Sequence, residues 1–200
     1  VLHARPPIDH LALAFAPDWI DMLVVHELTH IVHGDLTGTP GSILRRLLGR
    51  APIIWPVFPA AATPQWSIEG LATYFESRFT GAGRTYGSIH DMMVRADVLE
   101  GRFAEIDEVS GYSPEWPGGQ RWYVYGSLFY DYVARTRGVE ALRELAARTA
   151  RAWIPPTLAF DRVARRGIGA SFTELWAEWR EHLQRRYAAL ADSLRAEGLT

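Results

Sequence analysis

Apolar residues recur at helical spacing over much of the chain, most clearly near its C-terminal end. Ser171-Phe172-Thr173-Glu174 has the capping-box pattern with which helices begin. The residues that follow return to one face of a helix every three or four positions: Leu175, Trp176, Trp179, Leu183, Tyr187, Leu190 and Leu194. This pattern predicts one long helix that reaches about residue 197 and buries a single stripe.

Start and stop residues divide the rest of the chain into further helices. Asp18 as N-cap and Gly34 as terminator predict a helix over 19–33, and Thr63-Pro64 predicts the start of another. Shorter helices are predicted at 42–48, at 89–100 after a Ser88-x-x-Asp91 cap, and at 120–137, 139–150 and 157–166. Residues 10–15 favour a short strand. We therefore expect a mainly α fold with at most a remnant strand near the N-terminus.

Composition fits one globular domain over residues 1–200. The chain has 200 residues, of which 48% are hydrophobic, enough for one substantial core. A net charge of −2 gives no electrostatic argument for nucleic acid or a membrane surface, and no long apolar run predicts a membrane span. The absence of cysteine excludes disulfides and thiolate zinc sites. Because the chain starts at Val1 without a signal sequence, we expect it to come from a longer precursor.

Candidate metal chemistry lies in the second half of the first predicted helix. His26-Glu27-Leu28-Thr29-His30 places two imidazoles four residues apart, on the same helical face, where both can reach one tetrahedral zinc ion. Glu27 is turned by roughly 100° from His26, so its carboxylate lies beside the metal and can take a proton from the bound water. The spacing predicts a catalytic zinc site.

The third ligand has to come from another segment. The metzincin pattern requires Gly at position 33 and His at position 36, where this chain has His33 and Leu36, so that subclass is excluded. Glu69 is the better candidate. It lies one turn into a predicted apolar helix, where a carboxylate is costly unless it is paired or bound to a metal.

The two segments together resemble the gluzincin metallopeptidases, the clan that includes the aminopeptidase N type enzymes. The residues that carry the resemblance are His26-Glu27-x-x-His30-x-x-x-Gly34-Asp35-Leu36 and Trp66-x-x-Glu69-Gly70-x-Ala72-x-Tyr74. The resemblance implies a thermolysin-like helical catalytic domain of the zincin type. It also implies one Zn²⁺ per chain, bound by His26, His30 and Glu69, with Glu27 as the general base.

The spacing narrows the resemblance within the clan. Between His30 and Glu69 lie 38 residues, about twice the number in the aminopeptidase N type. This spacing and the phrase His-Glu-Leu-Thr-His-Ile-Val-His are similar to bacterial peptidase-MA-like domains, which often precede a WD-repeat-like β-propeller in exported proteins. The resemblance implies a peptide or protein substrate, a propeller domain of the same precursor as a partner, and a periplasmic or extracellular location.

A tyrosine is the candidate for stabilising the oxyanion. In aminopeptidase-type enzymes a Tyr in a Y-x-x-G context donates a hydrogen bond to the developing oxyanion, and Tyr123 of Tyr123-Val124-Tyr125-Gly126 matches that register. A phenol suits this role because it is a neutral donor at pH 7. Tyr125 is the alternative, since only one of the two can face the zinc. Gly126 should let this helix approach its neighbour closely.

Residues around the motif have less specific predicted roles. Thr73 and Asp35 are candidate acceptors for the ligand imidazoles, which usually need one. His33 is predicted as an outer-shell or surface residue. Arg121, like Arg84 and His90, is a candidate to hold a substrate carboxylate or backbone.

These motifs predict a zinc peptidase, and an endopeptidase or one of undefined specificity is favoured. Aminopeptidases of this clan carry a Gly-x-Met-Glu-Asn segment before the zinc helix, and residues 1–25 contain none. Aminopeptidase action remains one alternative. A non-catalytic module, in which zinc only staples two helices together, is the other.

Overall fold

The computed structural model describes residues 18–50, 55, 57–152 and 154–199. It is 74% helical, with eight α-helices and no strand among the described residues, so the predicted mainly α fold class is confirmed. The helices are α1 Trp19–Asp35, α2 Thr39–Leu48, α3 Gln65–Thr80, α4 Ser88–Leu99, α5 Arg121–Arg137, α6 Val139–Arg151, α7 Pro156–Ile168 and α8 Phe172–Ala196. Two short 3-10 helices cover Pro59–Ala62 and Gly118–Gln120. The strand predicted at 10–15 lies outside the described residues.

Two of the predicted helix caps form, and a third does not. The Asp18 carboxylate accepts the N–H groups of Ile20 and Asp21, and Ser171 forms the complete capping box with Glu174. The predicted Ser88-x-x-Asp91 cap is wrong, because Gly87 occupies the N-cap without any side-chain bond. Asp91 instead accepts the hydroxyl of Tyr187 at 2.8 Å.

Helices α3 and α5 cross at two glycines, and this crossing is the closest helix contact near the site. A Cβ atom built on Gly126 would lie 2.2 Å from the carbonyl oxygen of Trp66, and one on Gly70 would lie 2.5 Å from Gly126 Cα. Neither position can therefore hold a side chain without moving a helix. The close approach predicted for Gly126 is confirmed, and it draws Tyr123, one turn earlier, towards Glu69.

An aromatic core holds α3, α5 and α8 together. Trp66 is 1% exposed and packs its ring edge-on against Phe129, with Trp176 of α8 on another side. The predicted stripe of α8 is buried from Leu175 to Tyr187, whereas Leu190 is 38% exposed and Ala191 continues the buried face.

Helix α1 packs along α3 and carries the histidine motif against it. It runs two residues beyond its predicted end because Gly34 is accommodated within the helix. Met22 is buried, whereas Ile31 is 66% exposed and does not anchor the helix. None of the described helices combines the length and apolar character needed to cross a membrane.

Candidate metal centre

The two motif histidines converge on one point of the α1 surface. His26 is buried and His30 is partly buried, and their rings meet edge-on with centroids 4.7 Å apart. The Nε2 atoms of the two rings lie 3.1 Å from each other. The four-residue spacing therefore brings together the same nitrogen of each imidazole.

Glu69 reaches both histidines from α3. Its Oε2 atom lies 3.3 Å from His26 Nε2 and 3.3 Å from His30 Nε2. A tetrahedral metal with bonds of about 2.0–2.1 Å requires its ligand atoms to be separated by about 3.3 Å. The three atoms have about this separation. Within the described part of the chain, His26, His30 and Glu69 are the only group of three or more His, Cys, Asp or Glu residues that could hold a metal ion.

The surroundings of Glu69 favour the ionised form of its carboxyl, the form in which a carboxylate can bind a metal. Burial raises the pKa of its carboxyl, but the close contacts with the His26 and His30 rings outweigh burial and lower that pKa to about 2. The three donor atoms are therefore two imidazole nitrogens and a carboxylate oxygen, a set that suits zinc better than the all-oxygen sites of magnesium or calcium.

Glu76, a residue for which the sequence analysis predicted no role, orients His26. Its Oε2 atom lies 2.9 Å from His26 Nδ1, so an Nδ1 proton donated to this carboxylate leaves Nε2 free as a ligand. Burial raises the pKa of Glu76, but Arg84 and His26 lower it overall to about 2. Glu76 follows Glu69 by seven residues, which is two helical turns, and this periodicity is the signal that could have identified it.

Arg84 is held by partners within the protein. Its side chain is 11% exposed, its Nε bonds Glu76 Oε1 at 2.8 Å and its Nη2 bonds Glu76 Oε2 at 2.6 Å. Its guanidinium carbon lies 4.9 Å from the centre of the Tyr123 ring. Arg84 therefore has internal partners, and the prediction that it holds a substrate carboxylate is not supported by its position.

Glu27 borders a cavity of about 170 Å³ that lies between α1 and the part of α3 around Glu76. His26, Glu76, Arg84 and Tyr123 also line this cavity. The carboxylate of Glu27 is exposed, and no hydrogen bond or ion pair holds it within the described residues. Glu27 is thus available to a molecule that enters beside the three ligand atoms.

The structure distinguishes the two candidate tyrosines. The Tyr123 ring lies 6.2 Å from the His26 ring, and burial together with the Glu69 carboxylate raises the pKa of its phenol, which stays protonated at neutral pH. Tyr125 is buried in the core, where its hydroxyl donates to Asp97 Oδ2 at 2.6 Å and accepts the N–H of Ala104. Tyr125 therefore cannot serve as the tyrosine that faces the site.

Neither of the two predicted acceptors, Asp35 and Thr73, is the hydrogen-bond partner of the His26 or His30 ring. Asp35 is exposed and pairs with Arg45 at 3.0 Å and with Arg50. Thr73 is buried, and its hydroxyl has no partner among the described residues. Glu76 takes the position beside His26 because its longer side chain spans the gap between α3 and α1 that a threonine cannot.

The remaining predicted residues lie apart from the ligand atoms. His33 is buried near Ser67 and Thr149, and burial lowers its pKa to about 4. Arg121 donates to the carbonyl of Trp116 at 2.8 Å and to Ser113, so it stabilises the loop before α5. His90 is 1% exposed beside Ser127. Substrate-binding roles for Arg121 and His90 are not supported by these positions.

No family model, no curated protein and no solved structure matches this chain. The resemblance to gluzincins therefore rests on the motif residues and on the geometry in which they meet.

Proposed function

We propose that this chain is a zinc-dependent peptidase of the gluzincin type. The observation that carries the proposal is the triangle of His26 Nε2, His30 Nε2 and Glu69 Oε2, with sides of 3.1, 3.3 and 3.3 Å. Both histidines come from α1 and the carboxylate from α3, so the site depends on the fold and not only on the motif.

The residues around the triangle support a hydrolytic role. Zinc bound to the three atoms would polarise a peptide carbonyl and lower the pKa of a water molecule towards neutrality. Glu27 accepts the proton of the attacking water and passes it to the leaving amine. Tyr123 donates a hydrogen bond to the carbonyl oxygen as negative charge develops on it.

The observed geometry favours catalysis over a structural zinc site. Structural zinc sites have four protein ligands, whereas the described residues offer three. The exposed carboxylate of Glu27 beside the same cavity has no function in a site that only staples two helices. We propose peptide or protein substrates that are cleaved at internal peptide bonds.

Replacement of the proposed base provides the test. We expect Glu27→Gln to retain one zinc per chain and to lower the rate of peptide hydrolysis by about 10²- to 10⁴-fold. His30→Ala and Glu69→Ala should each lose the metal. Zinc content by mass spectrometry and turnover of a peptide library, with and without a chelator, give both readouts.

Glu181→Gln, a change at an exposed position of α8, is the matched control and should behave as the wild type. Internal cuts in the library would support an endopeptidase, and ladders from the N-terminus an aminopeptidase. Zinc binding without any cleavage would contradict the catalytic proposal and favour the stapled binding module.

A further inference from the structure

The loop between α3 and α4 is fastened to α3 so that one arginine points back under the site. Gly83 has a φ of +103°, and a Cβ atom there would lie 2.7 Å from Ser77 Oγ, so the turn requires glycine. The backbone N–H of Thr85 donates to Ser77 Oγ at 3.0 Å, and its hydroxyl donates to the carbonyl of Thr73 at 3.0 Å. The glycine turn before Arg84 and the two bonds of Thr85 after it hold the backbone on both sides of Arg84 and so direct its side chain.

The guanidinium of Arg84 joins two parts of the site that come from different helices. It forms a two-pronged bond to Glu76 of α3, through Nε at 2.8 Å and Nη2 at 2.6 Å. Glu76 in turn bonds His26 Nδ1 at 2.9 Å. The guanidinium carbon also lies over the ring of Tyr123 of α5, 4.9 Å from its centre.

We propose that Arg84 is a positioning residue that sets both the orientation of the His26 ligand, through Glu76 and through its own Nη2 atom 3.1 Å from His26 Nδ1, and the placement of the Tyr123 ring. The second half of this proposal rests on the function proposed above, and the first half requires only that the site binds a metal. The bond to Glu76 depends on the fixed fork of donors, and the contact with the Tyr123 ring depends on the planar shape of the guanidinium. A lysine in the same place would supply the charge but neither the fork nor the flat surface.

Two substitutions separate positioning from simple charge balance. Arg84→Met removes the bond to Glu76, and we expect the zinc dissociation constant to rise about 10- to 100-fold, the usual effect of losing a partner behind a metal ligand. Arg84→Lys keeps the positive charge beside Glu76. We expect it to bind zinc more tightly than Arg84→Met, yet to lower kcat by about 10-fold with KM unchanged, because Tyr123 loses its support.

Zinc affinity is measured by competition with a chromogenic chelator, and the visible spectrum of the Co²⁺-loaded protein reports the ligand geometry independently of turnover. Arg135→Met is the matched control, since Arg135 is an exposed arginine that also pairs with a carboxylate, Asp131 at 2.7 Å. We expect the control to match the wild type in affinity, spectrum and rate. Circular dichroism of the zinc-free proteins checks that each variant folds.

A wild-type zinc affinity and cobalt spectrum in Arg84→Met would overturn the proposal. If Arg84→Met does not fold, Arg84→Lys decides, and wild-type affinity together with wild-type kcat in that variant overturns it. If the wild type binds zinc but cleaves no peptide, the result contradicts the peptidase function. The role of Arg84 in zinc binding can still be tested, because zinc affinity is measured without turnover. If the wild type is active and Arg84→Met keeps the wild-type zinc affinity, the result contradicts the role of Arg84 but not the peptidase function.

Discussion

Two tyrosines separated by one residue on α5 have opposite surroundings. Tyr123 lies beside His26 and Glu69, while Tyr125 is fully buried against Asp97. We expect Tyr123→Phe to lower kcat by about 10²-fold or more, with little change in KM, because a donor to the developing oxyanion acts mainly in the transition state. Steady-state kinetics on a peptide that the wild type cleaves provide the measurement.

Tyr125→Phe is the matched control because it removes the same hydroxyl group from the same helix. It leaves the buried Asp97 without its donor, so we expect a loss of about 1–3 kcal/mol in the free energy of unfolding and a wild-type kcat. A full rate in Tyr123→Phe, or a large loss of rate in Tyr125→Phe, would contradict the assignment of Tyr123.

His33 makes the stability of the metal-free protein depend on pH. Burial lowers its pKa to about 4 in the folded chain, against an ordinary value of 6.5. Between these values the unfolded chain binds a proton that the folded chain does not, so stability falls as the pH drops from about 6.5 to about 4. Across this window the loss from this one residue is at most about 3 kcal/mol.

Substitution of His33 by leucine, which cannot be protonated, isolates this contribution. The free energy of unfolding of wild type and His33→Leu is measured by urea denaturation at several pH values, with a chelator present. We expect the wild type to lose stability relative to the variant as the pH falls through the window. Parallel curves would show that His33 is not a buried neutral imidazole.

At the scale of residues, sequence reasoning predicted which three side chains come together but not what supports them. His26 and His30 could be predicted to share one helical face from their four-residue spacing, and Glu69 from the cost of an unpaired carboxylate on an apolar helix together with the resemblance. Asp35 and Thr73 were predicted as outer partners, whereas the partner is Glu76. That choice depends on the distance and angle between α1 and α3, which local spacing does not contain.

The position of Tyr123 relative to Glu69 depends on the crossing of helices α3 and α5. We expect Gly126→Ala to destabilise the protein by about 3 kcal/mol, since a Cβ atom would meet the Trp66 carbonyl and the two helices must separate. The separation should also move Tyr123 away from Glu69 and lower kcat. Thermal unfolding and kinetics measure the two effects.

Gly34→Ala is a suitable control within α1. A Cβ atom at Gly34 meets nothing within 4 Å, so alanine should stabilise that helix by roughly 0.5–1 kcal/mol. Equal stability losses in the two variants would mean that the glycine crossing has no special role.

Element boundaries were predictable where a local cap decides them and less so where tertiary contacts compete. Asp18 and the Ser171–Glu174 box cap their helices as predicted, because both bonds are local. Asp91 does not cap α4, because Tyr187 of α8, distant in sequence, binds its carboxylate. The strand predicted at 10–15 stays a prediction.

At the scale of the molecule, metal binding should stabilise the fold. The ligand atoms come from α1 and α3, so a metal that binds only when these helices are packed favours the folded state. At a free zinc concentration of 100 times the dissociation constant, we expect a gain of about 2.7 kcal/mol and a higher Tm. Thermal unfolding with and without zinc measures this, and a His30→Ala protein stabilised equally by zinc would contradict it.

The mainly α class of the whole molecule could be predicted because periodic apolar residues and caps mark each helix. The meeting of α1 with α3, separated by 38 residues between His30 and Glu69, could only be inferred from the resemblance. It depends on packing, including the glycine crossing and the aromatic core around Trp66, which no local pattern encodes.

The most direct test is a crystal structure of the zinc-loaded protein with anomalous diffraction measured at the zinc edge. The account predicts one anomalous peak per chain, about 2.0–2.2 Å from His26 Nε2, His30 Nε2 and a Glu69 carboxylate oxygen, with a further position open to water or substrate. Zinc bound elsewhere, or a Glu69 carboxylate turned away from the metal, would contradict it.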